Sequence, residues 1–153
     1  MKKLRVYHLF WLTATIILII GIILNQSSDS TFDINVHDTY FVISHLYFAL
    51  IVSLAYFLLG VGYWIVQKVM KRKLVRWLTI IHSSVLIGSF LIYWIVIGYS
   101  EISTPNTFFF VDNYYLINQT LMILLLLIML LGQPAYIANL LIGIFRKRNS
   151  AIS

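Results

Sequence analysis

Residues 33–50 read DINVHDTYFVISHLYFAL. The stretch holds two histidines, His37 beside Asp38 and His45 eight residues on, and from Phe41 it continues as an uncharged apolar run to about Val66. A run of this length is enough to cross a hydrocarbon core of about 30 Å as a helix. The fold and the function therefore both turn on it: the run sets the architecture, and its histidines are candidates for holding a metal or an iron.

Three further runs resemble it in length and character. They cover about residues 7–24, 74–99 and 115–145, so that the sequence predicts an all-α membrane protein of four transmembrane helices (7–24, 41–66, 74–99, 115–145) in one domain. Composition agrees, with 61% hydrophobic against 10% charged residues and a mean hydropathy of +0.91. A soluble domain is apolar in roughly half of its residues and charged in about a quarter. The first run follows Lys2, Lys3 and Arg5, as a secretory signal would, but its apolar core is long and the following NQSSDS lacks a small-x-small cleavage pattern. It is read as an anchor. The chain has no cysteine, which excludes disulfides, thiolate ligands and thioether-linked haem.

Charge is sorted by loop. The lysines and arginines fall at 2, 3 and 5, in the loop 68–76, and at 146–148, whereas the acids are Asp29, Asp33, Asp38, Glu101 and Asp112. The positive-inside rule then predicts that both termini lie in the cytoplasm, most simply of a bacterial inner membrane. The net charge of +6 is a topology signal that favours anionic lipid headgroups and gives no ground for nucleic-acid binding. Gly21, Gly60, Gly62 and Gly88 are expected at close helix contacts, and Pro134 within LLGQPAY predicts an irregular helix near Gln133.

Ionisable groups at membrane depth carry the functional question. His45 is placed about five residues, or about 7 Å, inside the second helix, and His82 a similar distance inside the third from the opposite surface, leaving about 15 Å between them along the membrane normal. One iron cannot take both. His8 stands at the cytoplasmic edge and can approach His82. His37 and His45 lie nearly on one helical face, but about 12 Å apart, too far to chelate one ion together. They suit two neighbouring sites, His37 with Asp38 as a surface pair for a divalent cation and His45 as a lone axial ligand. Alternatively His45 is a neutral residue hydrogen-bonded between helices, Asp38 or Thr39 caps a helix, and His82 satisfies itself beside Ser83 and Ser84.

The segment LNQSSDSTFDINVHDTYFVISHLYFAL, residues 24–50, resembles the part of haem-copper oxidase subunit I in which an outer loop leads into the helix bearing haem ligands. GYWIVQKVMKRKLVRWLTIIH and YIANLLIGIFRKR resemble the stretches that follow it, so the likeness runs through nearly the whole chain and covers only the last four helices of that subunit. The resemblance implies His45 as the axial ligand of a b-type haem, and His37 with Asp38 as ligands of a magnesium or manganese ion at the outer surface. It implies no ligand role for His82. The departures are equally specific. Tyr47 stands where the family places its second haem ligand, the copper histidines belong to helices this chain lacks, and residues 98–114 contain no arginine or lysine for haem propionates. The chain by itself is therefore not expected to be an enzyme. The expected roles are a non-catalytic accessory, assembly or structural component of a respiratory-type complex, a haem-binding redox or sensor protein using His45, or one part of a split oxidase. The expected partners are the lipid bilayer and either copies of the chain in a homo-oligomer or larger oxidase-like subunits.

Overall fold

In a computed structural model the chain is described for residues 5–26, 31–36, 39–103 and 110–145, with the backbone course alone for 32–36, 40, 100–103 and 110–115. Helix α1 spans Val6–Leu24, α2 His45–Trp64, α3 Arg76–Ser103, α4 Phe110–Leu127 and α5 Gln133–Phe145. Helix α2 runs on into a π-helical turn at Ile65–Val69, and a second π-helical turn, Ile128–Gly132, joins α4 to α5. Four stretches are long and apolar enough to cross a membrane: Val6–Leu24, His45–Val69, Arg76–Tyr99 and Leu116–Phe145. The chain is an integral membrane protein by this measure, as the uncharged runs predict.

Two expectations need correction. The protein is not all α: strands β1, Thr31–Val36, and β2, Thr39–Ser44, pair antiparallel with Thr31 opposite Ser44 and Val36 opposite Thr39. Helix α2 consequently begins at His45 and not at Phe41. Residues 39–44, TYFVIS, are almost all aromatic or β-branched, types that favour an extended chain. They are as apolar as the helix they lead into, so hydropathy alone merges the two. His45 is then the first residue of the helix. Ser44 is anchored just before it, donating to Asn25 Oδ1 at the end of α1 (3.0 Å).

The irregularity expected at Pro134 is the π-helical turn directly before it. Proline has no N–H and its ring crowds the carbonyl four residues earlier, and widening the turn relieves both. The other π turn ends α2 differently. Lys71 takes a left-handed φ of 52°, and the Arg72 N–H reaches back to the Val66 carbonyl at 2.9 Å.

Helix α1 buries Tyr7, Phe10, Ala14, Ile17 and Gly21, one stripe at alternating spacings of three and four. That stripe lies along α2, whose Ala49, Tyr56, Gly60 and Tyr63 are buried in return. The two backbones come close because Gly21 faces Ala49: a methyl group added at Gly21 would overlap the Ala49 side chain. Gly62 is equally committed, its space taken by the Tyr136 hydroxyl. Gly88 departs from expectation, since a side chain there would meet nothing. Gly21→Leu is therefore expected to lower stability by about 1–3 kcal/mol, the usual cost of overpacking. Gly88→Ala is expected to be neutral or to stabilise by up to about 1 kcal/mol through helix propensity. Unfolding in mixed micelles, followed by far-UV circular dichroism, measures both.

Candidate functional site

The polar groups at membrane depth gather around α3. Thr79, His82, Leu86 and Ser89 form its buried stripe, and beyond Ser89 none of the described side chains of α3 is fully buried. His82 is at its centre and has no exposed surface. The imidazole is layered between the Phe10 ring of α1 (centroids 5.1 Å, planes 14° apart) and the Tyr136 ring of α5 (4.8 Å, 29°). Tyr63 of α2 meets its edge, with Tyr63 Oη hydrogen-bonded to His82 Nδ1 at 2.8 Å. Tyr63 and Tyr136 complete the box edge to face (5.1 Å, 89°). Three helices thus close on one side chain of a fourth.

A second joint adjoins it. Asn139 of α5 is fully buried, donating through Nδ2 to Thr79 Oγ1 (2.7 Å) and accepting the Val75 N–H at Oδ1 (2.8 Å). Thr79 in turn donates to the Val75 carbonyl (2.9 Å). Val75 immediately precedes α3, so a side chain from α5 satisfies a backbone donor at the end of α3 that the helix cannot satisfy itself. Two longer links cross between the helices: Tyr56 Oη donates to Leu86 O (2.7 Å) and Tyr136 Oη to Leu59 O (3.2 Å). Ser53 Oγ donates to Ala14 O (2.9 Å) and so ties α2 to α1.

Chemically the His82 cluster is a fitted joint. Its partners are a neutral phenol and two aromatic faces, and among the described residues no carboxylate or second imidazole belongs to it. His82 Nε2 and Trp11 Nε1 are buried with no hydrogen-bond partner among the described residues. Whichever ring nitrogen of His82 carries the proton, one polar atom stays unpaired, at a cost of about 1–3 kcal/mol.

The residues singled out in the sequence are not brought together. His8 is exposed and its ring lies tilted against Tyr7 (centroids 4.2 Å, planes 54° apart), and it is Phe10, two residues further, that reaches His82. Ser83, expected to help His82, instead bonds back to the Thr79 and Ile80 carbonyls of its own helix. His37 and Asp38 lie outside the described residues. Among the described residues no group of three or more His, Cys, Asp or Glu side chains is placed to hold a metal ion. His45 is half-buried and stands one helical turn before Ala49, hence on the face of α2 turned to α1. There α1 passes close by, with the His45 carbonyl 3.4 Å from where a Gly21 side chain would begin. Tyr47, at the position of the family's second ligand, is 67% exposed.

Sequence reasoning passed over Tyr63, Thr79, Tyr136 and above all Asn139. The signal was available: an asparagine inside the apolar run YIANLLIGIF is subject to the same cost in hydrocarbon as a histidine, and finds its partner on a neighbouring helix.

Comparison of the chain with protein-family models, with curated proteins and with solved structures gives no match.

A double-mutant cycle tests the joint. Tyr63→Phe is expected to destabilise by about 1–2 kcal/mol because it leaves both His82 nitrogens without partners. Adding His82→Phe is expected to recover most of that loss, since removing both partners of a buried pair costs little.

Proposed function

We propose that this chain is a non-catalytic accessory, assembly or structural component of a respiratory-type membrane complex. Its termini are in the cytoplasm and its helices in the bacterial cytoplasmic membrane. The class of complex comes from the resemblance of residues 24–50, 62–82 and 136–148 to the last helices of haem-copper oxidase subunit I, and the orientation from the charge sorting of the loops. Fold-level analogy is a weak guide to activity, so the role is argued from the side chains themselves.

One observation supports the structural role above the others: the polar side chains at membrane depth are spent on holding helices together. Tyr63 and His82, Asn139 and Thr79, Tyr56 and Leu86, and Ser53 and Ala14 pair across helix boundaries. Of these polar side chains only Ser53, among the described residues, also lines a pocket, an apolar one between α1 and α2 walled by Trp11, Leu50 and Phe57. Meanwhile the far half of α3 and much of α4–α5 present long apolar side chains outward, among them Ile92, Ile95, Leu126 and Leu130. Such faces suit lipid or the helices of larger subunits equally.

The deciding preparation is the protein isolated from its own membranes in mild detergent with haem supplied during growth. Its oxidised and dithionite-reduced visible spectra and its mass by light scattering are then measured. The proposal expects no Soret band and a mass well above that of one chain in its micelle. A stoichiometric Soret band, lost in His45→Ala and kept in His82→Ala, would replace it with a haem protein. A monodisperse single chain that acquires no partner would count against the accessory role.

A further inference from the structure

The connection between α2 and α3 contains Lys68, Lys71, Arg72, Lys73 and Arg76, five cations within nine residues. The side chains of Lys68, Lys71, Lys73 and Arg76 are exposed. No acid is near in sequence. Asp29, Asp33 and Asp38 come before α2, and Glu101 and Asp112 lie beyond the far part of α3. Glu101 is 25 residues along the same helix from Arg76, or about 37 Å. The charge cannot be balanced within this part of the chain.

The loop is also held in one shape. On one side the π-helical turn ends with Lys71 in the left-handed region and Arg72 N–H bonded to Val66 O. A non-glycine residue is disfavoured there by about 1–2 kcal/mol. Glycine or asparagine would close the same turn more cheaply, so the lysine adds a charge at a conformational cost. On the other side the Val75 N–H is fixed by Asn139 of α5, and Gly143 of α5 lets Val66 and Leu74 pack against its backbone. Trp77, next to Arg76, is 75% exposed. An outward tryptophan at a helix end is the usual marker of the headgroup level of a bilayer.

We propose that the loop 68–76 is a binding site for anionic phospholipid headgroups, in which Lys68, Lys71, Lys73 and Arg76 face the lipid phosphates and Trp77 sets the depth. Charge complementarity commits the site to lipid rather than to a soluble anion: the loop joins two membrane-spanning helices, so its cations are held at the plane where lipid phosphates are concentrated. The proposal is independent of any partner subunit.

The test uses the full chain in vesicles of phosphatidylcholine with increasing fractions of acyl-brominated phosphatidylglycerol or, separately, acyl-brominated phosphatidylcholine. The Trp77 share of the fluorescence is taken as the difference from Trp77→Phe. Quenching is expected at a lower mole fraction of phosphatidylglycerol than of phosphatidylcholine, and the preference should collapse in molar salt. Lys68→Gln, Lys71→Gln and Lys73→Gln should each reduce it about fivefold at low salt. The replacement of all three by arginine should keep it. Equal quenching by the two lipids, or a preference that survives molar salt, overturns the proposal even if no glutamine variant folds. So does a preference carried by the tail, seen as loss in Arg146→Gln/Lys147→Gln/Arg148→Gln with retention in Lys68→Gln/Lys71→Gln/Lys73→Gln. Loss of the wild-type preference on adding inorganic phosphate at constant ionic strength would also overturn it, by showing a site for the free anion.

Discussion

The imidazole of His82 is the point at which α1, α2, α3 and α5 are made into one body. In a bilayer the hydrophobic effect no longer drives helices together, because lipid tails are as apolar as leucine. Association then rests on close packing and on polar groups that have nowhere else to go. His82 supplies both: Phe10 and Tyr136 cover its two faces, and Tyr63 takes one nitrogen. The arrangement spends its polar group on a hydrogen bond and its aromatic surfaces on contact, so that one side chain fixes the azimuth of each of its neighbours. The unpaired Nε2 is the cost of enclosing the ring on every side.

The interfaces on either side of this joint use different chemistry. Between α1 and α2 the contact is made by small residues, with Gly21 against Ala49, and the backbones themselves approach. Across to α3 and α5 the links are long phenols, with Tyr56, Tyr63 and Tyr136 each reaching a carbonyl or ring nitrogen on another helix. A tyrosine can bridge a wider gap and still bury its ring, provided its hydroxyl finds an acceptor at the far end. Glycine and tyrosine meet at Gly62, where the absence of a side chain makes room for the Tyr136 hydroxyl.

The four spans were legible in the sequence because each is an uncharged run bounded by charge, a signal that needs no tertiary information. The hairpin was not, because Tyr40, Phe41, Val42 and Ile43 are as apolar as the start of α2, and hydropathy does not distinguish an extended apolar chain from a helical one. His82 was correctly marked as costly at membrane depth. Its partner was sought nearby in sequence, at Ser83 and Ser84, whereas Tyr63 is 19 residues away and Phe10 and Tyr136 further still. Helical serines readily bond to their own preceding turn, which removes them as partners, and Ser83 does this. His45 drew attention for the same reason, its cost at membrane depth, and the resemblance added a haem to it; the hairpin before it makes it the first residue of α2 and not one lying a turn inside.

The position of the polar joints in the membrane follows from their cost. His82 is six residues from Arg76 and Asn139 six from Phe145, so each lies about 9 Å from the basic end of its helix. The cost of a polar group is greatest at the bilayer centre and falls toward the headgroups, through snorkelling, local thinning and water. A histidine and an asparagine placed there join the helices at less expense than they would halfway across. The same end carries the fixed turn at Lys71 and the Asn139 contact to Val75. Rigidity and positive charge therefore coincide at one face. The far half of α3, in which no described side chain is fully buried beyond Ser89, is left to be covered by whatever surrounds it.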